Sequence, residues 1–412
     1  MKEKKKLGKT ERRLLTACVF FAVSGVLMVC ARQIPGFAEW YSVHIYQKLT
    51  AVVGRVTGLA PFSVAEIGLY VLLIMLPVTG VRTVVKSVRF GQGGENAFRW
   101  ASGVFLTVSV LMCLYAVNCG VNYQRESFSE KSGLEAEQYT AEELKAVCLW
   151  LTEEVNARAG LVERGGSGEM ILTMHGAEER GSGPSGEMSV SGNRNTAAGA
   201  DGDSRAAGTG EMPLQVLGDM AVQAMTKLAE DYPDLKGYYP HPKPVCISEI
   251  LSYQNLSGVY SPFTVEANYN ADMVDYNIPF TLCHELSHLR GFMQEEEANF
   301  IAFLACIGSG KQDFEYSGYL TGWVYCMNAL RRTAAEEWQE VREELDEAAE
   351  ADLRENSRFW DSYDGAVAEV SDKVNDTYLK ANGQSEGVKS YGRMVDLIIA
   401  YAESYSSRPV RP

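Results

Sequence analysis

Positive charge is scarce over most of this 412-residue chain: 53 Asp and Glu stand against 38 Lys and Arg, a formal net charge of −15. The deficit is uneven. Residues 1–121 hold fourteen Lys and Arg against five Glu, which leaves the remainder at −24. So acidic a surface excludes nucleic acid as a partner, because phosphate binding needs basic patches. Paired cysteines are missing too. The nine Cys are scattered with no Cys-x-x-Cys spacing and give no readable disulfide framework; Cys18, Cys30 and Cys113 fall in apolar runs as small membrane-embedded side chains. Histidine is rarer still, at five residues, and two of them stand four apart in one motif.

Charge is also nearly absent from three apolar stretches. Residues 14–31 carry none and follow a basic segment that includes Lys2, Lys9 and Arg13. Residues 61–81 contain only Glu66, near their start, with Pro77 near their end, and 100–121 is free of charge from Ala101 onward. Each is long enough for a transmembrane helix. A cleaved signal peptide accounts for the first alone, so three spans favour an α-helical membrane anchor. The basic N-terminus and the loop with Arg82, Lys86, Arg89 and Arg99 belong on the cytoplasmic side, against the sparser Arg32, Lys48 and Arg55 of the other loop. This predicts a basic cytoplasmic N-terminus (1–13), a membrane anchor (14–121) and an extracytoplasmic domain (122–412) in the cell membrane. Residues 37–59, with Trp40, Tyr41 and Tyr46, read as a helix in the outer interface or a short loop helix.

In the acidic part, Thr140 and Glu143 have capping-box spacing and predict a helix to about Ala157. Residues 163–212 are rich in Gly, Ser, Ala and Asn, cannot bury a core, and predict a disordered insertion within the domain. A helix is predicted over 213–231, strands over Val245–Ile250 and Gly258–Val265, a long solvated helix over 331–358, and helices over 360–380 and 389–404.

The chemistry concentrates in His284-Glu285-Leu286-Ser287-His288, followed by Gln294-Glu295-Glu296-Glu297-Ala298-Asn299. On a helix, residues four apart share a face, so His284 and His288 can aim two imidazoles at one point. Imidazole nitrogen suits zinc, and the apolar flanks Phe280, Leu282, Leu286 and Leu289 mark a buried helix in which two histidines need partners. Glu285 stands where a general base reaches the metal's water without ligating. A third ligand is expected from the glutamates, with Glu295 first and Glu296 and Glu297 its rivals. Asn299, four residues after Glu295, would orient a ligand histidine. Gly291 permits the reversal between the two helices.

This pattern looks like the gluzincin branch of zincin metallopeptidases, in which Glu-x-x-x-Asp follows His-Glu-x-x-His; here Asn299 replaces the Asp, accepting a hydrogen bond without adding charge. Together with Ser252-Tyr253-Gln254, Ser257-Gly258-Val259-Tyr260, Pro262-Phe263-Thr264, Glu266-Ala267-Asn268 and Ser390-Tyr391-Gly392-Arg393, it resembles an uncharacterised bacterial family of multi-pass membrane proteins, known chiefly from Gram-positive anaerobes and catalogued as a domain of unknown function. The resemblance covers most of the chain outside 163–212. It implies a mainly α, α+β zincin-like domain with a small sheet, borne on membrane helices.

The expected function is a membrane-anchored zinc metallopeptidase of the cell envelope acting on peptide or protein substrates. Zn2+ would be held by His284, His288 and Glu295, Glu285 would be the base, and the oxyanion donor would be Tyr391 or Arg393, then Tyr260. A zinc-dependent amidase on cell-wall or lipid amides is the first alternative. A non-catalytic binding or signalling protein with a structural metal is the second; an intact Glu285 favours an enzyme over it, because a structural site has no need of a base.

Overall fold

The three long, nearly uncharged runs are helical, the form in which an apolar segment pairs its backbone groups within itself. In a computed structural model, which describes residues 8–134, 139–173, 212–382 and 392–406, α1 (Lys9–Gln33) leads into α2 (Phe37–Tyr41) and α3 (Gln47–Thr57), joined by a wide helical turn over Ser42–Tyr46. Then come α4 (Val64–Phe90) and α5 (Gly93–Tyr115), the latter extended by further helical turns to Gln124. By length and composition α1, α4 and the extended α5 could each cross a membrane. Leu72, Leu73 and Ile74 point outward and stay exposed, as lipid-facing side chains do. The helices outrun the uncharged runs: α4 continues through Arg82, Lys86 and Arg89 until Gly91 turns the chain at φ 66°.

The second half is mostly helical with one small sheet. Its elements are α6 (Phe128–Ser132), α7 (Ala141–Ala159), α8 (Leu214–Asp231), β1 (Lys243–Pro244), α9 (Glu249–Tyr253), β2 (Gly258–Ser261), β3 (Glu266–Tyr269), α10 (Asn277–His288), α11 (Glu295–Ile307), α12 (Gln312–Thr333), α13 (Ala335–Glu343), α14 (Glu347–Tyr363), α15 (Ala366–Ala381) and α16 (Gly392–Ser406). The strand order is β1-β3-β2, with β1 parallel and β2 antiparallel to β3. Leu282, Leu286, Phe300, Phe303, Phe314, Leu320 and Ile398 fill a core in which α10 and α11 are central. That position explains why α11 is apolar nearly all round: Ala298 to Ala305 are each under 5% exposed.

Several local expectations change. Thr140 and Glu143 do form the capping box at the start of α7. No strand forms over Val245–Ile250: β1 stops at Pro244, the amides of Cys246 and Ile247 donate to Glu66 instead of to the sheet, and α9 begins at Glu249. The strand expected over Gly258–Val265 is a hairpin, turned at Pro262–Val265. The long helix expected over 331–358 is shared among three: α12 ends at Thr333, α13 at Glu343, and Asp346 caps α14. The insertion is narrower than 163–212: Arg164 pairs with Asp352, Met170 and Met212 are buried in the core, and the amide of Leu172 donates to Asp275 at 2.8 Å. Most of the rest of that stretch lies outside the described residues.

The first third of the chain packs directly on the second half. Ala31, Tyr41, Tyr46, Cys119, Val121 and Tyr123 form a buried cluster with Met293, from the turn between α10 and α11. Arg125 binds the Glu39 carboxylate through Nε and Nη2 at 3.1 and 3.2 Å, donates Nη1 to the Arg290 carbonyl at 2.8 Å, and stacks on Phe292. The interfacial helix expected over 37–59 therefore packs against the motif helix. Two carboxylates are exchanged at the base of α4. Glu66 accepts from the amides of Cys246 and Ile247 at 2.7 and 3.1 Å, and Glu266 accepts from those of Val64 and Ala65 at 3.2 and 2.8 Å. An anion at a helix N-terminus satisfies orphan amides, so Glu266 caps α4.

Candidate metal centre

The motif lies at the C-terminal end of α10, and Gly291, at φ 87°, turns the chain back toward α11. A side chain at Gly291 would meet Ser42, Arg125 and Tyr46, so the turn needs both the left-handed backbone and the missing Cβ. This reversal sets the first residue of α11 against the last turn of α10. His284 Nε2 is 3.1 Å from His288 Nε2 and 3.2 Å from Glu295 Oε2, and His288 Nε2 is 3.8 Å from Glu295 Oε1. The three ligand atoms lie within 4.8 Å of one another. Ligands about 2.0–2.1 Å from a tetrahedral zinc stand about 3.3 Å apart, close to these separations. The donor set of two imidazoles and one carboxylate fits zinc and leaves a coordination position open.

The other glutamates are engaged elsewhere. Glu297 accepts from the amide and hydroxyl of Ser129 at 3.0 and 2.7 Å, which ties down α6. Glu296 is buried, with burial raising its pKa and Arg393 opposing that rise. Around the ligands, His288 Nδ1 donates to the Phe292 carbonyl at 2.8 Å, which leaves Nε2 for a metal. Asn299 hydrogen-bonds His284. Arg393 lies exposed on α16 and exerts its charge on Glu130, Glu296 and Glu297; Tyr391 lies outside the described residues. Tyr260 packs its ring 6.1 Å from that of His288, but its hydroxyl donates to the Asn118 carbonyl at 3.1 Å and meets Tyr46 Oη at 3.0 Å. Tyr46 in turn lies 3.2 Å from the His288 carbonyl.

Charge at the centre follows from burial. Burial pushes the Glu285 carboxyl up to about 8, helped by Glu295 and opposed by His284. Burial also works against a charged His284, yet the hydrogen bond and charge of Glu295 outweigh it and raise that imidazole to about 8. Burial lowers His288 to about 4 despite Glu295. Glu295 itself is lowered, because its two histidine partners overcome its burial. Glu285 is only 4% exposed, and its Oε2 has no hydrogen-bond partner among the described residues. With its pKa at about 8, the carboxyl of the metal-free site holds its proton at pH 7, and a cation bound beside it would lower the value and free the oxygen to act as a base.

Residues that the sequence reading passed over also border the site. Cys119 and Tyr123, at the far end of α5, lie within electrostatic reach of Glu295. Tyr378 on α15 touches both. No local pattern announces them, since they meet the motif only through the fold.

Gly258 opens β2 directly over the general-base candidate. A Cβ there would lie 2.5 Å from Glu285 Oε1 and 2.9 Å from Cδ and Cγ. Gly258→Ala should therefore displace the carboxyl inside a packed site, at about 1–3 kcal/mol of stability. Thermal denaturation reads this directly, and an unchanged melting temperature would show that β2 yields freely.

No curated protein and no solved structure matches the chain. The family model described as "Protein of unknown function (DUF3810)" matches residues 41–399, and the chain belongs to that family.

Proposed function

We propose that this protein is a membrane-anchored zinc-dependent hydrolase: a metallopeptidase that cleaves peptide bonds outside the cytoplasm. The observation that carries the reading is the convergence of His284, His288 and Glu295 beside a buried Glu285 whose Oε2 is left open. A small sheet ahead of the two-histidine helix, and a second helix opening on the third ligand, are what a zincin-like domain of the gluzincin type calls for. Zn2+, when bound by His284, His288 and Glu295, supplies a Lewis acid that polarises a carbonyl and makes water more acidic.

The chain's own groups do the rest. Glu285 takes the proton of the attacking water and hands it to the leaving amine. The Phe292 carbonyl and Asn299 hold the imidazoles in orientation. β2 is an edge strand beside Glu285 and offers its backbone to an extended substrate. The basic N-terminus and the α4–α5 turn belong in the cytoplasm, which places the site outside.

Removing and returning the metal tests the reading. Hydrolysis of a peptide library by the purified full-length protein should vanish on chelation and return with zinc. Zinc uptake should release a proton at pH 7, because His284, with its pKa raised to about 8, is mostly charged there and only the neutral ring ligates. The sign follows: affinity weakens as pH falls below 8, and proton release fades above it. Calorimetry in buffers of different ionisation enthalpy measures it. Hydrolysis that survives complete chelation would end the metal reading.

A further inference from the structure

We infer that the substrate is a membrane-tethered polypeptide, cut close to the point where it leaves the bilayer; the inference rests on the hydrolase reading above. Its basis is where the membrane surface falls relative to the site. The ring of Tyr378, near the end of α15, packs 6.3 Å from that of Tyr115 and 6.1 Å from that of Tyr123, and its hydroxyl meets Cys119 Sγ at 3.4 Å. Tyr115 to Tyr123 covers about 12 Å of helix axis, so the end of α15 lies along the flank of α5 rather than above it. Tyr115 Oη also donates to Asn382 Oδ1 at 2.5 Å, just past α15.

One side of α15 is apolar and uncovered: Val367, Val370 and Val374 are 55%, 60% and 64% exposed. Another side carries Glu369, Lys373, Asp376 and Lys380. The stripe ends at Tyr378, the residue that packs on Tyr115 and Tyr123. A helix held at that depth with such a stripe lies in the membrane interface, valines toward the acyl chains. Across the site, Leu59 and Phe62 precede α4 and Phe263 follows β2, all exposed.

The ligand cluster sits at this same level. Glu295 is within reach of Cys119 and Tyr123, and Tyr260 against His288 is bonded to Asn118. An extended backbone on the edge of β2 therefore runs beside the bilayer. A chain anchored there is presented at an effective concentration of about a millimolar, which a free peptide at low concentration does not reach.

The test uses the full-length zinc-loaded protein in liposomes and one degenerate fluorogenic peptide library in three forms: free, doubly acylated through a spacer of about four residues, and doubly acylated through about thirty. The short-spacer form should be cleaved at least about tenfold faster than the free form at equal bulk concentration. Equal rates for free and anchored forms would overturn the tethering while leaving the hydrolase intact, and a preference for the long spacer would overturn cleavage close to the bilayer. No cleavage of any form would mean that the hydrolase reading itself had failed, and the inference with it. A readout independent of catalysis is a fluorophore at Val259→Cys on β2, in nanodiscs with headgroup spin labels. Quenching is expected, and its absence would overturn the placement.

Discussion

Glu285→Gln is expected to keep the zinc and lose the chemistry. The substitution preserves side-chain size and helix propensity, and it leaves His284, His288 and Glu295 in place. It removes only the oxygen that can accept a proton. Turnover should fall by about two to four orders of magnitude, the usual worth of general-base catalysis. Stability should not fall with it. The Glu285 carboxyl is buried and its pKa is raised to about 8, so the charged form is disfavoured where it stands. A neutral amide resembles the protonated carboxyl that prevails at pH 7, and the melting temperature should hold. Zinc content, melting curve and turnover on one preparation decide the matter. A Glu285→Gln strain that behaves as wild type, alongside a His288→Ala protein that fails to fold, would leave a structural metal and no enzyme.

Glu295→Gln should have the second large effect, on the metal itself. Its carboxylate faces both imidazoles, at 3.2 and 3.8 Å, and supplies the one negative charge of the donor set. The variant should lose most bound zinc by elemental analysis. Glu296→Gln and Glu297→Gln should keep theirs. Glu297→Gln should instead lower stability by about 1–3 kcal/mol, because its carboxylate holds the Ser129 amide and hydroxyl at the start of α6. Equal zinc in the three variants would remove Glu295 from the site. Three consecutive glutamates thus divide their work by helix geometry, each pointing about 100° away from the last.

How much of this was legible beforehand varies with the range of the interaction. The spacing of His284 and His288 is a property of one helix turn, and the reversal at Gly291 a property of one residue, so local sequence suffices for both. Glu295 could be ranked first among its neighbours only by analogy; the sequence carries no sign that Ser129 waits for Glu297. The extent of the second-half helices was close for α7, whose capping box marks its start, and for α8, observed over Leu214–Asp231. It failed at Val245–Ile250, where a strand-like run is turned aside by Glu66, 180 residues earlier. Glu66, noted in the sequence only as a charge near the start of an apolar run, proves to bind backbone amides. The role of 37–57 was equally hidden. Its aromatic residues suit a membrane interface, and only the fold brings Tyr46 to the His288 carbonyl.

The exchange of carboxylates between Glu66 and Glu266 bears on how the protein is made. α4, apolar enough to cross a membrane, is complete early in synthesis, but the partners of Glu66 and the cap for the α4 amides come from 243–269, well over a hundred residues downstream. Until that segment emerges, a buried-to-be carboxylate and a row of free amides wait without their partners. Assembly must then be late and non-local, with loop closure over a long stretch as the slow step. Nascent chains released before β3 would present a correctly inserted anchor with an unfinished rim, the kind of intermediate that membrane quality control is placed to recognise.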